Sequence, residues 1–378
     1  MLPDAERTRQ IHHQLEQVET EIITFYTNII DCEDAGFDAQ QLEESHAQAL
    51  IDATQDVINW GALPNATSRR KARQLMQELS EAREKLLLPA SLYLEGVNDH
   101  DEHPTYHGGF GDVFQASYQN KVVALKRIRV FTANPTANRR HRRGVYKEAL
   151  LWQGLRHQFI LPLLGIDRTT FAPAFCLVSP WMKHGTVLKY LKDRGRGDVD
   201  RLLLEIALGL EYLHSVSVVH GDLRGSNILI SDEGNACLSD FGLATMIPDT
   251  DSSTGMLSSS SNHAGSIRWF APELIRPTSF GLQRFLRTTA SDVYAYALVC
   301  IELYTGEPPF SQLKDPTVLL GVIDGMRPER PPSMSTAFFE LVTSAWAADF
   351  RIRPNSGDIV CALRGLGVVS PGNDHPLA

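Results

Sequence analysis

The chain has 378 residues, 43% of them hydrophobic and 21% charged, with a formal net charge of -9. That length exceeds one small core and suits two or three folded units, while the acidic balance argues against a nucleic-acid partner. Five cysteines (Cys32, Cys176, Cys237, Cys300 and Cys361) stand far apart, with no CxxC pair and no histidine spacing of the zinc type. This excludes a disulfide framework and predicts a reducing, intracellular, cytoplasmic setting. The opening MLPDAERTRQ carries early acids and no apolar signal-type stretch, and the longest apolar run, around Tyr294 to Tyr304, is too short to span a bilayer. Neither secretion nor a membrane span is expected.

Ile11, Leu15, Val18, Ile22, Phe25 and Ile29 alternate spacings of four and three, which predicts a long helix with one apolar seam. A second helix is expected from Asp38, with Gln41 completing a capping box, towards Trp60, where GALPN breaks it. A third, from near Thr67 or Ser68, sets Ala72, Leu75, Leu79, Ala82 and Leu86 on one stripe before Pro89. Residues 1–90 therefore read as a helical bundle that packs on itself, with a coiled-coil dimer as the alternative. Residues 91–104 read as a linker. Beyond them GGFGDVF and KVVALKRIRV predict antiparallel strands, then DVDRLLLEIALGLEYLHSV an amphipathic helix and SDVYAYALVCIELYTG a helix buried all round. Strands first and helices later make an α+β domain over residues 105–368. The last residues, 369–378, are rich in breakers and read as a disordered tail.

The chemistry is spread along this domain. Gly108 and Gly111, with Val113, form a loop whose backbone N–H groups can approach phosphate oxygens, although a plain hairpin turn has the same composition. Lys126 follows three apolar residues on a predicted strand, an odd place for a lysine unless it meets an anion. Glu148 on the next predicted helix is a candidate for that anion, which would hold Lys126 towards the phosphates of a nucleotide. In HGDLRGSNIL, Asp222 can accept a hydroxyl proton and Asn227 can bind a metal through its amide oxygen; in LSDFGLA, Asp240 adds a carboxylate for the same Mg²⁺. Each alone is an ordinary turn residue. Their joint order and spacing point to phosphoryl transfer.

Over residues 100–368 the sequence resembles a eukaryotic protein kinase, of two-lobed fold with a β-rich N-lobe and a helical C-lobe, preceded here by the N-terminal α-helical bundle. The resemblance makes Gly108, Gly111 and Val113 the glycine-rich loop, Lys126 the strand lysine and Glu148 its helix partner. It makes Asp222 and Asn227 the catalytic loop, Asp240–Phe241–Gly242 the DFG motif and Ala271–Pro272–Glu273 the APE motif. Asp292 then matches the buried aspartate opening a long C-lobe helix, and Arg353 the partner of Glu273. Trp152, His220 and Phe241 would stack between the lobes. Val113, Ala124 and Leu229 would sandwich adenine, with LVSPWMKHG as hinge and the Met182 amide as donor, since Pro180 has none. ATP and Mg²⁺ are the implied cofactors and a protein hydroxyl the implied substrate. LRHQFILPLLG, WMKHGTVLKYL and SIRWFAPELI are similar to the tyrosine-kinase-like group, and the overall style to kinases of basidiomycete fungi.

Departures from the pattern qualify these implications. Tyr106 occupies the first glycine position and is expected to restrict the loop's turn. Gly221 replaces the arginine that usually reads an activation-loop phosphate, so that switch is not required. Arg224 stands where Ser/Thr kinases carry lysine, whereas Gly265 and Ser266 resemble their Gly-Thr, which favours Ser/Thr specificity with tyrosine or dual specificity open. Ala297 replaces a helix glycine. The serine-rich stretch from Asp249 to Ser266 offers Ser258 to Ser261 for phosphorylation, and the RRHRR run, Arg139 to Arg143, could receive such a phosphate. The serine stretch reads equally as a flexible polar loop, and a basic run of this kind is more often plain solvated surface. The alternative to an enzyme is a pseudokinase scaffold signalling through its N-terminal helices, which serve as adaptor, dimeriser or autoinhibitor.

Overall fold

The computed structural model describes residues 41–63, 65–81, 87–108, 111–127, 135–172, 174–241, 245–246 and 266–370, with isolated positions between 13 and 28. Those isolated positions are helical, but the apolar seam expected there lies outside the described residues. Two compact units emerge, one of residues 1–95 and 130–150, the other of 96–129 and 151–378.

In the first unit, helices α1 (Glu44–Asn59) and α2 (Ala66–Glu81) form a pair. Ala47 and Ile51 of α1 pack with Leu79 of α2, and Val57 with Ala72, so the helical spacing of these residues becomes a shared apolar seam. Helix α1 starts at Glu44 with Gln41 in a turn before it, and Asp38, where the cap was expected, lies outside the described residues. Helix α2 is capped by Asn65, whose Oδ1 accepts the Ser68 N–H at 2.8 Å. Among the stripe residues expected of this helix, Ala82 and Leu86 lie outside the described residues. The unit also holds most of α3 (Pro135–Gln153), including the RRHRR run, whose backbone is helical.

The second unit opens with β1 (Tyr106–Gly108), β2 (Gly111–Tyr118) and β3 (Lys121–Arg127), then β4 (Gly165–Asp167) and β5 (Cys176–Pro180). They form one antiparallel sheet in the order β1-β2-β3-β5-β4. A two-residue turn joins β2 to β3, with Gln119 and Asn120 both left-handed, at φ 49° and 60°, as the twist of a tight hairpin requires. Beyond the sheet the unit is mainly helical: α4 (Val187–Arg194), α5 (Val199–Ser215), α6 (Pro272–Ile275), α7 (Thr289–Thr305), α8 (Asp315–Ile323), α9 (Thr336–Ala345) and α10 (Ser356–Gly365). Small hairpin strands β6 (Val218–Val219), β7 (Ile228–Ile230), β8 (Ala236–Leu238) and β9 (Thr245–Met246) lie among them. This is the expected β-rich lobe followed by a helical lobe.

Helix α7 is the scaffold of that lobe. A reciprocal capping box between Thr288 and Ser291 starts it, left-handed Gly306 (φ 78°) stops it, and every residue from Ser291 to Leu303 is buried. Such burial leaves no solvent for a polar side chain, so Asp292 and Glu302 on this helix must find protein partners. Among the described residues no helix is long and apolar enough to cross a membrane. Cys176, Cys237 and Cys300 are buried free thiols, and burial pushes the first two up to about 12. Cys361 is free and exposed.

Candidate active site

Strand register aligns the residues expected around a nucleotide. Val113 lies opposite Lys126 and Gln115 opposite Ala124, so period-two alternation sets Val113, Ala124 and Lys126 on one face of the sheet. Gly108 and Gly111 pair across the hairpin that ends at the loop between them. The Lys126 ammonium donates to Asp240 Oδ1 at 2.8 Å, with 16% and 21% of the two side chains exposed. Asp240 holds a left-handed backbone (φ 64°), a conformation a non-glycine residue keeps only when its surroundings impose it. Phe241 follows, its ring centroid 5.7 Å from Trp152 and 5.5 Å from His220, so the three rings expected to stack do meet, but tilted at 46° and 54° to Phe241. Gly242 lies outside the described residues. Leu229 pairs with Cys237 and bridges to Thr186, while Met182 lies just past β5, its carbonyl accepting the Gly185 N–H at 2.9 Å. Glu148 is a buried residue of α3, in the first unit.

The loop after β6 is held by hydrogen bonds to side chains of α7. Asp292 accepts the N–H of His220 at 2.8 Å and that of Gly221 at 2.9 Å, and a ring nitrogen of His214 lies 3.0 Å from the same carboxylate. Gly221 adopts φ 79°, the left-handed region that glycine enters without steric cost. The residue that reads in sequence as a lost arginine is therefore the one this backbone favours. Asn227 directs its amide N–H groups at the Asp222 carbonyl (2.8 Å) and carboxylate (2.9 Å), which orients the Asp222 side chain and leaves the Asn227 oxygen as the atom able to meet a metal. The Ser239 N–H and hydroxyl both donate to the Asn227 carbonyl at 2.9 Å, tying the stretch before Asp240 to this turn. Arg224 Nε lies 3.6 Å from the Asp222 carboxylate. Lys126 and Asp240 thus form one pair, and Asp222, Asn227 and Arg224 one cluster beside it in the chain's hydrogen bonding.

Glu302 and Arg287 had no counterpart in the sequence expectations, and Tyr106 departs from its expected place. Glu302 Oε2 accepts both the Gly225 N–H (2.8 Å) and the Trp269 indole N–H (3.1 Å), and burial pushes this carboxyl up to about 7 against the pull of those donors and of Arg224. A glutamate within the apolar run from Ala297 to Leu303 was the signal for it. Arg287 is 6% exposed, stacks on Phe285 at 5.0 Å and is drawn down by desolvation, which the negative charges of Asp222 and Asp292 oppose. Tyr106 does not sit in the loop's turn, as expected, but in β1 opposite Val113, with its ring 6.1 Å from that of Trp181. An extended strand accommodates a Cβ that a tight turn would resist. The Glu273–Arg353 pair is present and bidentate, at 2.6 and 2.7 Å, with both side chains buried. Ser266 is buried, while Gly265 and Ser258 to Ser261 lie outside the described residues.

The sequence is similar to those of known protein kinases. Serine/threonine-protein kinase STY17 of Arabidopsis thaliana is 29% identical over 264 residues, covering 68% of this chain and 43% of the relative. Tyrosine-protein kinase csk-1 of Caenorhabditis elegans is 29% identical over 282 residues, 70% of this chain and 47% of its own. Serine/threonine/tyrosine-protein kinase HT1 of Arabidopsis thaliana is 27% identical over 262 residues, 68% and 63% respectively. The chain thus spans from under half to just under two thirds of the length of these relatives. Residues 103–363 match the family described as protein tyrosine and serine/threonine kinase, and they carry the sheet, the Lys126–Asp240 pair and the Asp222–Asn227 loop: the chain belongs to that family.

Proposed function

We propose that the chain is an ATP-dependent protein kinase of intracellular signalling, located in the cytoplasm, that transfers the γ-phosphoryl group to Ser or Thr hydroxyls of proteins. The observation that carries this reading is the Asp222 carboxylate held by Asn227 at 2.9 Å on a loop bonded to the segment bearing Asp240. In this reading Gly108 and Gly111 approach the phosphates, and Val113, Ala124 and Leu229 enclose adenine, with the Met182 amide at its edge. Lys126 draws the phosphates into line, and Asp222 orients the substrate hydroxyl and holds its proton as the new bond forms. Arg224 adds positive charge beside Asp222. Asn227 and Asp240 offer hard oxygen donors that fit Mg²⁺. When bound, Mg²⁺ neutralises charge on the transferring phosphates.

Ser/Thr preference is favoured by buried Ser266 and by the name of STY17; Arg224 and the names of csk-1 and HT1 keep tyrosine or dual specificity as the second reading. STY17 and HT1 also favour membership of the tyrosine-kinase-like group, within which we place the basidiomycete affinity. We assign residues 105–368 to the kinase domain and residues 1–90 to an accessory helical region that binds an adaptor or a second copy. A pseudokinase scaffold draws less support. The features that favoured it, Tyr106 and Gly221, are accommodated as a strand residue and a left-handed glycine.

The test is phosphosite mapping by mass spectrometry after incubation with ATP and Mg²⁺, beside Asp222→Asn. Phosphoserine or phosphothreonine absent from the variant supports the proposal; no Asp222-dependent incorporation into the chain or generic protein substrates overturns it.

A further inference from the structure

We propose that Glu302 is a positioning residue for phosphoryl transfer: one of its carboxylate oxygens clamps the turn of the Asp222 loop to the segment that precedes Ala271–Glu273. This rests on the kinase reading above. Oε2 accepts the Gly225 N–H at 2.8 Å and the Trp269 indole N–H at 3.1 Å, and the residue is 2% exposed. Two chain segments 44 residues apart (269 minus 225) are thereby joined through one buried atom on α7.

The clamp is tight. A Cβ added at Gly225 would lie 2.9 Å from Leu188 Cγ and 3.0 Å from Glu302 Cδ, so the carboxylate reaches this N–H because residue 225 has no side chain. A proline there would have no N–H to donate. Arg224, the neighbour of Gly225, lies 3.6 Å from the Asp222 carboxylate, and its positive charge also favours the charged form of Glu302. Arg224 lies at the same Asp222 oxygen, Oδ2, that Asn227 binds, so fixing Gly225 holds Arg224 at that oxygen and leaves Oδ1 to face the substrate hydroxyl. An apolar residue at 302 would pack with less desolvation but strand two buried donors. That is the physical reason for an acid at this buried position.

The experiment compares the full chain with Glu302→Met, which removes the acceptor, Glu302→Gln, which keeps an oxygen, and Trp269→Phe, which removes one donor. ATP binding, peptide KM and kcat are measured separately, and amide exchange is followed over the 222–228 loop. Glu302→Met is expected to lower kcat about 30-fold, with ATP affinity within about threefold of the parent and loop amides exchanging about 10-fold faster. Glu302→Gln should recover most of both losses, and Trp269→Phe should lie between. Unchanged kcat and unchanged exchange in folded Glu302→Met overturn the proposal. Should that variant not fold, Trp269→Phe carries the test by the same two readouts. A parent with no Asp222-dependent activity defeats the kinase reading instead, and amide exchange alone then decides whether the clamp exists.

Discussion

Replacing Arg353 by methionine isolates one buried charge. In the parent, its guanidinium makes two short bonds to Glu273, at 2.6 and 2.7 Å, and donates to the carbonyls of Ala347 and Ala290, both at 2.9 Å. It also lies 5.0 Å from the Tyr294 ring centroid. The exposures are 0% for the Arg353 side chain and 2% for Glu273, so water cannot take over when the arginine is removed. Breaking one side of a buried pair costs about 3–5 kcal/mol, most of it from the carboxylate left behind. At about 3 °C of melting temperature per kcal/mol for a unit of this size, Arg353→Met should melt roughly 10 °C below the parent. Adding Glu273→Gln removes the stranded charge and should recover about half of that loss. Differential scanning calorimetry of parent, single and double variants measures both steps. A single variant within about 2 °C of the parent, or a double variant no more stable than the single, refutes the argument that an uncompensated charge dominates.

Two further outcomes follow from the same helix and loop. Burial raises the Glu302 carboxyl from 4.5 to about 7, so its contribution to stability is full below pH 4.5 and is lost as pH rises through 7. Glu302→Gln abolishes that dependence, and its stability relative to the parent should improve between pH 5 and pH 8 by on the order of 3 kcal/mol in urea titrations; parallel curves would contradict it. Gly221→Ala forces a side chain into φ 79° and should cost about 1–2 kcal/mol, read as a shift in denaturant midpoint at unchanged slope; no shift would mean the loop relaxes to negative φ.

Local pattern was enough for the elements whose cause is local. The apolar run of α7 predicted a helix buried all round because no face of it is polar enough to meet water, and alternation in KVVALKR predicted the strand bearing Lys126. The order of Lys126, Asp222, Asn227 and Asp240 pointed to phosphoryl transfer because the spacing of such groups along the chain reflects the element that carries each. Helix α1 begins at Glu44 and not at Asp38, with residues 41–43 not helical, because a capping box is a short signal that does not by itself fix where a helix starts. What tertiary structure alone decided is which groups share a partner. Lys126 meets Asp240, Asp292 holds the Gly221 amide, and Glu302 joins Gly225 to Trp269 across separations that no periodicity encodes. A buried polar atom takes whichever donor the packed helices bring within about 3 Å, and that meeting is set by the whole fold acting at once.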